Sequence, residues 1–187
     1  MPDPAPRSDY SKLQKILHWL IAAAIMADLV IAQKFGGLME DWDRFESRSD
    51  HASLGTLVLV LFGIRLVLRI RHGAPKLPLD LPSWQKTLAH TAHAVLYALI
   101  GLLLVSGVAS AMNADSVVSP FGLFSYGDGN GGLRSFDLFR TVHELATKLI
   151  IAVITIHVAA ALFHLANKRH RYLTLRMMRF WTRETTL

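Results

Sequence analysis

Residues 87–114 run for 28 positions without a single Asp, Glu, Lys or Arg, and residues 149–167 run for 19 more. About 20 predominantly apolar residues in a helix cross the hydrocarbon of a bilayer, so each run predicts a transmembrane helix. Two further stretches are less clean. Residues 13–33 carry Lys15 near their start and Asp28 within, and residues 52–70 carry Arg65 and Arg69 toward their end, where long cationic side chains reach the interface while their stems stay in apolar surroundings. A soluble bundle of four apolar helices needs a polar face recurring with the 3.6-residue period; residues 94–105 read AVLYALIGLLLV and have none. The predicted fold class is all-α: one integral membrane domain over residues 1–187, a bundle of four helices at about 13–33, 51–71, 87–112 and 142–167, followed by a basic amphipathic tail at 168–187.

Charge sets the expected orientation. Arg7, Lys12 and Lys15, then Arg65, Arg69, Arg71, Lys76 and Lys86, then Lys168, Arg169, Arg171, Arg176, Arg179 and Arg183 fall on one side of a four-helix chain. Lys34, Arg44, Arg48, Arg134 and Arg140 fall on the other, among Glu40, Asp41, Asp43, Glu46, Asp50, Asp115, Asp128 and Asp137. Fourteen basic residues against five predict that both termini lie in the cytoplasm. The formal net charge of +6 is thus read as topogenic and interfacial, and no nucleic-acid partner is expected. The opening MPDPAPRSDY is polar, and the apolar segment after it outruns a signal-peptide core, so the first helix is expected to act as its own uncleaved insertion signal. The stretch SYGDGNGG at 125–132 reads as a turn-rich crossover on the outer side. The chain has no cysteine, which excludes a disulfide framework, a zinc finger, an iron–sulfur cluster and thioether-attached haem.

Ionisable groups within a membrane mark function by default. Seven of the nine histidines, His18, His51, His90, His93, His143, His157 and His164, fall in or at the edge of the spans, whereas His72 and His170 are read as surface residues of basic stretches. His143 and His157 are fourteen residues apart on helix four, about 21 Å in rise and within about 40° of one face. His18 matches His157 in depth and His51 matches His143. Two imidazoles from different helices at one depth are what a bis-histidine haem requires, and here that arrangement occurs twice, stacked across the membrane. Arg65, fourteen residues after His51, and Arg69, one turn on, are candidates to hold haem propionates, since a guanidinium suits a carboxylate. Gly55, Gly63, Gly101 and Gly107 permit close packing on a helix or a flat macrocycle.

Other chemistries fit less well. His143-Glu144 begins an HExxH pattern, but Thr147 stands where its second histidine belongs. Histidines as interhelical glue do not account for two depth-matched pairs. A metal path would need more carboxylates or thiols within the spans.

The residues LHW at 17–19, DHASLG around His51, IRLVLRIR from Ile64, LAHTAHAVLY from Leu88, HELATKLI from His143, IHVAAALFH from Ile156 and LRMM from Leu175 together resemble the bacterial cytochrome b561 family, four-helix di-haem proteins of the superoxide oxidase type. The resemblance covers residues 10–178. It implies two b haems, ligated by His18 with His157 on the cytoplasmic side and by His51 with His143 on the periplasmic side. It also implies an inner-membrane location, exchange of electrons with ubiquinone, and oxidation of superoxide to dioxygen. His164, about 10 Å nearer the cytoplasm than His157, and His90 and His93 at the start of helix three are then candidates for contact with quinone or propionate. The alternative is an electron-transfer subunit without substrate chemistry of its own, serving a partner dehydrogenase, hydrogenase or periplasmic redox protein. Asp28, in the outer half of helix one, is left without a role.

Overall fold

The computed structural model describes residues 9–32, 41–78, 81–168 and 170–180. Lys34, Glu40, Arg7, Arg169 and Arg183 lie outside them, as do the side chains of Asp41, Asp43 and Arg44. Among the described residues, five α-helices follow one another: α1 (Lys12–Ala32), α2 (Asp41–His72), α3 (Ser83–Met112), α4 (Leu133–Ala166) and the short α5 (Arg171–Met178), with a single 3-10 turn at Pro120–Gly122 between α3 and α4. α1 starts where it does because Ser11 and Gln14 form a reciprocal cap. The Gln14 backbone N–H donates to Ser11 Oγ at 3.2 Å, and the Ser11 N–H donates to Gln14 Oε1 at 3.0 Å.

α1, the Glu46–His72 part of α2, α3 and α4 are each long and apolar enough to cross a membrane, and only 6% to 17% of their most apolar stretches is buried within the protein. A water-soluble domain does not display that much apolar surface, so lipid covers it and the chain is a multi-pass membrane protein. Three of the helices start four or more residues before the spans read from the sequence, α3 by four at Ser83 and two of them by more. α2 begins at Asp41 rather than 51 and α4 at Leu133 rather than 142, because no Pro or Gly interrupts 41–50 or 133–141, and a polar helix continues freely beyond the lipid.

The helices pair as two hairpins. α1 packs mainly on α2 and α3 mainly on α4, while α2 meets α3 lightly and α1 scarcely meets α4. Ile21 and Ala24 of α1 bury themselves against Val58 and Phe62 of α2, with Tyr97, Ile100 and Leu104 of α3 alongside. On α4, Ala146 and Ile150 are fully buried and share a face with His143 and His157 at helical spacing.

Polar contacts fasten the hairpins at both ends. At one end, the loop between α3 and α4 folds back over α2. Tyr126 N–H donates to the Val118 carbonyl at 2.8 Å, the Phe121 N–H to Ser53 Oγ at 2.8 Å, Arg48 Nη1 to Ser116 Oγ at 3.1 Å, and the Tyr126 and Thr56 hydroxyls meet at 3.1 Å. Gly127 makes the fold-back feasible: its φ is +73°, and a Cβ there would stand 2.8 Å from the Met112 carbonyl oxygen. Asp128 accepts from both the backbone and the side-chain N–H of Asn130, which holds its carboxyl below the usual carboxylate range. At the other end α5 lies across the terminal ends of α1 and α4. Lys15 Nζ, almost wholly buried, donates to Asp9 Oδ2 and to the Arg179 carbonyl, both at 2.7 Å. Trp19 Nε1 donates to the Met177 carbonyl at 2.9 Å, Thr174 Oγ1 to Ala161 O at 3.0 Å, and Arg176 Nη1 to Lys76 O at 3.0 Å. The segment expected to lie along a lipid interface is therefore, over 171–178, a helix hydrogen-bonded to the bundle.

Candidate functional site

Uninterrupted α4 carries His143 and His157 about 21 Å apart along its axis, and histidines from the other helices gather at both levels. At the loop end, His51 of α2 faces His143 of α4 with ring centres 5.9 Å apart and planes 87° to one another. The His143 Nδ1 lies 3.0 Å from the Leu103 carbonyl and 3.1 Å from Ser106 Oγ. A carbonyl only accepts, so Nδ1 carries the proton and the ring lone pair is on Nε2. Gly107 lets this ring lie close to α3: a Cβ at that position would stand 3.1 Å from His143 Cε1 and 3.3 Å from Nδ1. His51 Nδ1 lies 2.8 Å from Asp28 Oδ1 of α1, and with Asp28 ionised that oxygen only accepts, which gives His51 the same tautomer.

Two imidazoles with Nδ1 engaged and Nε2 carrying the lone pair are a ligand set for a metal ion, and such outer partners are typical of metal-bound histidine. Metal–imidazole bonds of about 2.0–2.1 Å on both sides of one ion bring ring centres to roughly 6 Å. The residues at this level thus fit a bis-histidine haem iron.

At the terminal end the group has three histidines. His93 of α3 and His157 of α4 have ring centres 5.7 Å apart, and His18 of α1 is within electrostatic reach of both, and of Arg65. Arg69 acts on His93 in the same way. Arg65 Nη1 donates to the Gln14 carbonyl at 2.6 Å, so one of its five donors ties α2 to the first turn of α1. The sequence places His18 opposite His157 but does not anticipate that His93 touches the same ring. The available signal was the hairpin between helices three and four, which turns His93 toward its neighbour.

Toward the terminal end, the His164 ring packs against Phe163 at 5.8 Å and His170 at 6.4 Å. His164 Nδ1 and His170 Nδ1 are buried and have no hydrogen-bond partner among the described residues. His170 therefore departs from its reading as a surface residue, because α5 folds back and brings it onto α4. His90 is exposed on α3 and makes no ring contact among the described residues. Ser106 and Asp28 were not assigned to the site from the sequence; for Asp28 the signal was its depth, ten residues along α1 from His18 and hence about 15 Å nearer the loop end.

The prokaryotic cytochrome b561 family matches residues 9–180. Cytochrome b561 homolog 1 of Escherichia coli (strain K12) is 26% identical over 172 residues, covering 90% of this chain and 96% of its own length. The probable superoxide oxidase CybB of Yersinia pestis is 26% identical over 155 residues, covering 83% of this chain and 88% of its own. With four membrane helices and histidines gathered at two levels, the chain belongs to the prokaryotic cytochrome b561 family, membrane proteins of b-type haem that carry out transmembrane electron transfer.

Proposed function

We propose that this chain oxidises superoxide on the periplasmic side of the bacterial inner membrane and passes the electrons to ubiquinone. In this reading both termini are cytoplasmic, and two b haems are held by His51 with His143 near the periplasm and by His18 with His157 near the cytoplasm. The observation that carries it is the gathering of histidines at two levels of α4, each level drawing on both hairpins.

Haem b, when bound, supplies one-electron carriage at each level. The protein's part is position. His51 and His18 come from the α1–α2 hairpin, while His143 and His157 come from α4, so each ligand pair straddles the lightly packed seam between hairpins. His93 shares the α3–α4 hairpin with His157, and those two helices pack directly; this favours His18 as the ligand opposite His157. Arg65 and Arg69, near His18 and His93, suit propionates.

Two superoxide ions give two dioxygen molecules and two electrons, and ubiquinone takes those electrons with two protons from the cytoplasmic side to become ubiquinol. The buried Nδ1 of His164, without a partner among the described residues, suits a quinone carbonyl.

A protein donor is the second reading. Arg48 lies 3.8 Å from Asp115, and Arg140 pairs with Glu144 at 2.8 Å. Those pairings weaken the positive potential that an anionic substrate would follow and favour docking of a dehydrogenase, hydrogenase or periplasmic redox protein.

One set of measurements tests both. Purified protein is expected to hold two b haems by pyridine haemochrome, one in His18→Ala, one in His51→Ala, and two in His93→Ala. With superoxide and ubiquinone as sole partners it should form ubiquinol, and His164→Ala should impair that step with both haems retained. Two haems without activity until a partner is added would favour the second reading; no haem would overturn both.

A further inference from the structure

The structure assigns a role to Asp28: we infer that it is a positioning residue for the outer haem, accepting the His51 Nδ1–H so as to lower that haem's reduction potential relative to the inner one. The inference rests on the reading of His51 as an iron ligand.

Three observations carry it. Asp28 Oδ1 lies 2.8 Å from His51 Nδ1, the distance of a hydrogen bond assisted by charge. The two groups come from different helices, α1 and α2, and both side chains are largely withdrawn from the surface, at 18% and 29% exposed. The partner ligand, His143, directs its own Nδ1 to the Leu103 carbonyl and Ser106 Oγ, which are neutral acceptors. One imidazole of the pair is thus backed by a carboxyl group and the other by uncharged oxygens.

The chemistry follows from what a carboxylate does to a ligating imidazole. Drawing on the Nδ1 proton makes Nε2 a stronger electron donor and fixes the ring's orientation. A stronger donor favours ferric over ferrous iron, so hydrogen bonding beyond the ligand moves the potential downward. Arg65 lies at the opposite level, near His18, so a carboxyl group sits beside the loop-end ligands and a guanidinium beside the terminal-end ones. Both placements favour electron flow from the loop end toward the terminal end.

Redox titration of purified Asp28→Asn and Asp28→Ala tests it, with Asp28→Glu as the conservative variant. In the first two, the outer haem should titrate higher, its oxidised-to-reduced ratio at a fixed ambient potential falling about tenfold, which is ~59 mV for a one-electron couple. The inner haem should not move, and Asp28→Glu should return toward the parent value. Electron paramagnetic resonance of the ferric protein should show altered g-values for one haem only. Unshifted potentials in Asp28→Asn and Asp28→Ala with both haems bound would overturn the assignment, as would loss of both haems together in both variants, which marks a folding role. Retention of two haems in His51→Ala would instead sink the ligand reading beneath it.

Discussion

At Gly107 a hydrogen atom stands where any other residue would put carbon against the His143 ring, at 3.1 Å from its Cε1. An added methyl group can be absorbed by a shift of a few tenths of an ångström, but a branched side chain on a helix is held in one rotamer and cannot turn aside. Gly107→Val is therefore expected to displace His143 and halve the haem content, with Gly107→Ala keeping both haems; a haemochrome assay on the two variants measures this. The sequence made Gly107 visible only as one of four glycines in apolar helices, because what it lies against is a matter of how α3 and α4 are rotated. Asp28 was hidden for the same reason. An acid within a membrane helix is unfavourable, which announces that a partner exists without saying which. The four ligand candidates were legible because fourteen residues on one helix fix both depth and face. The contact of His93 with His157 and that of His170 with His164 were not, since rotation of α3 and the return of α5 bring them in.

Among the elements, α3 and α4 could be read from charge-free length alone and α1 and α2 from apolar length despite Lys15, Asp28, Arg65 and Arg69, and the structure departs from that reading at their aqueous ends. Hydropathy marks where lipid begins, whereas a helix stops only where its backbone bonding is interrupted, so α2 and α4 start well before their apolar stretches. α5 was the least legible element. Its eight residues are too few to be stable alone in water, and its contacts are hydrogen bonds from Trp19, Lys15 and Thr174 to backbone carbonyls or from its own Arg176 to a loop, none of which leaves a periodic trace. Each such bond contributes about 0.5–1.5 kcal/mol. Trp19→Phe combined with Thr174→Val should therefore raise the detached fraction of α5 by roughly ten- to a hundredfold, read as faster hydrogen exchange across 171–178 with the rates of α3 and α4 unchanged.

For the whole molecule, the orientation inferred from Lys and Arg is open to a clean test because the chain has no cysteine of its own. Ser125→Cys, in the exposed part of the α3–α4 loop, should react with a membrane-impermeant maleimide in spheroplasts, and Ser83→Cys, at the start of α3, should react only after lysis. The reverse pattern would turn the proposed electron path around.

The two hairpins are buckled together at both rims, by the α3–α4 loop at one and α5 at the other, while the seam between them is only lightly packed. That arrangement resembles a locket. A broad, rigid insert passes neither buckle once fastened, so it has to be taken in while one rim is still undone or sideways from the lipid. Loading past a rim is thereby tied to the last steps of assembly, and a chain whose rims close early is left with the lipid-facing seam as its one way in.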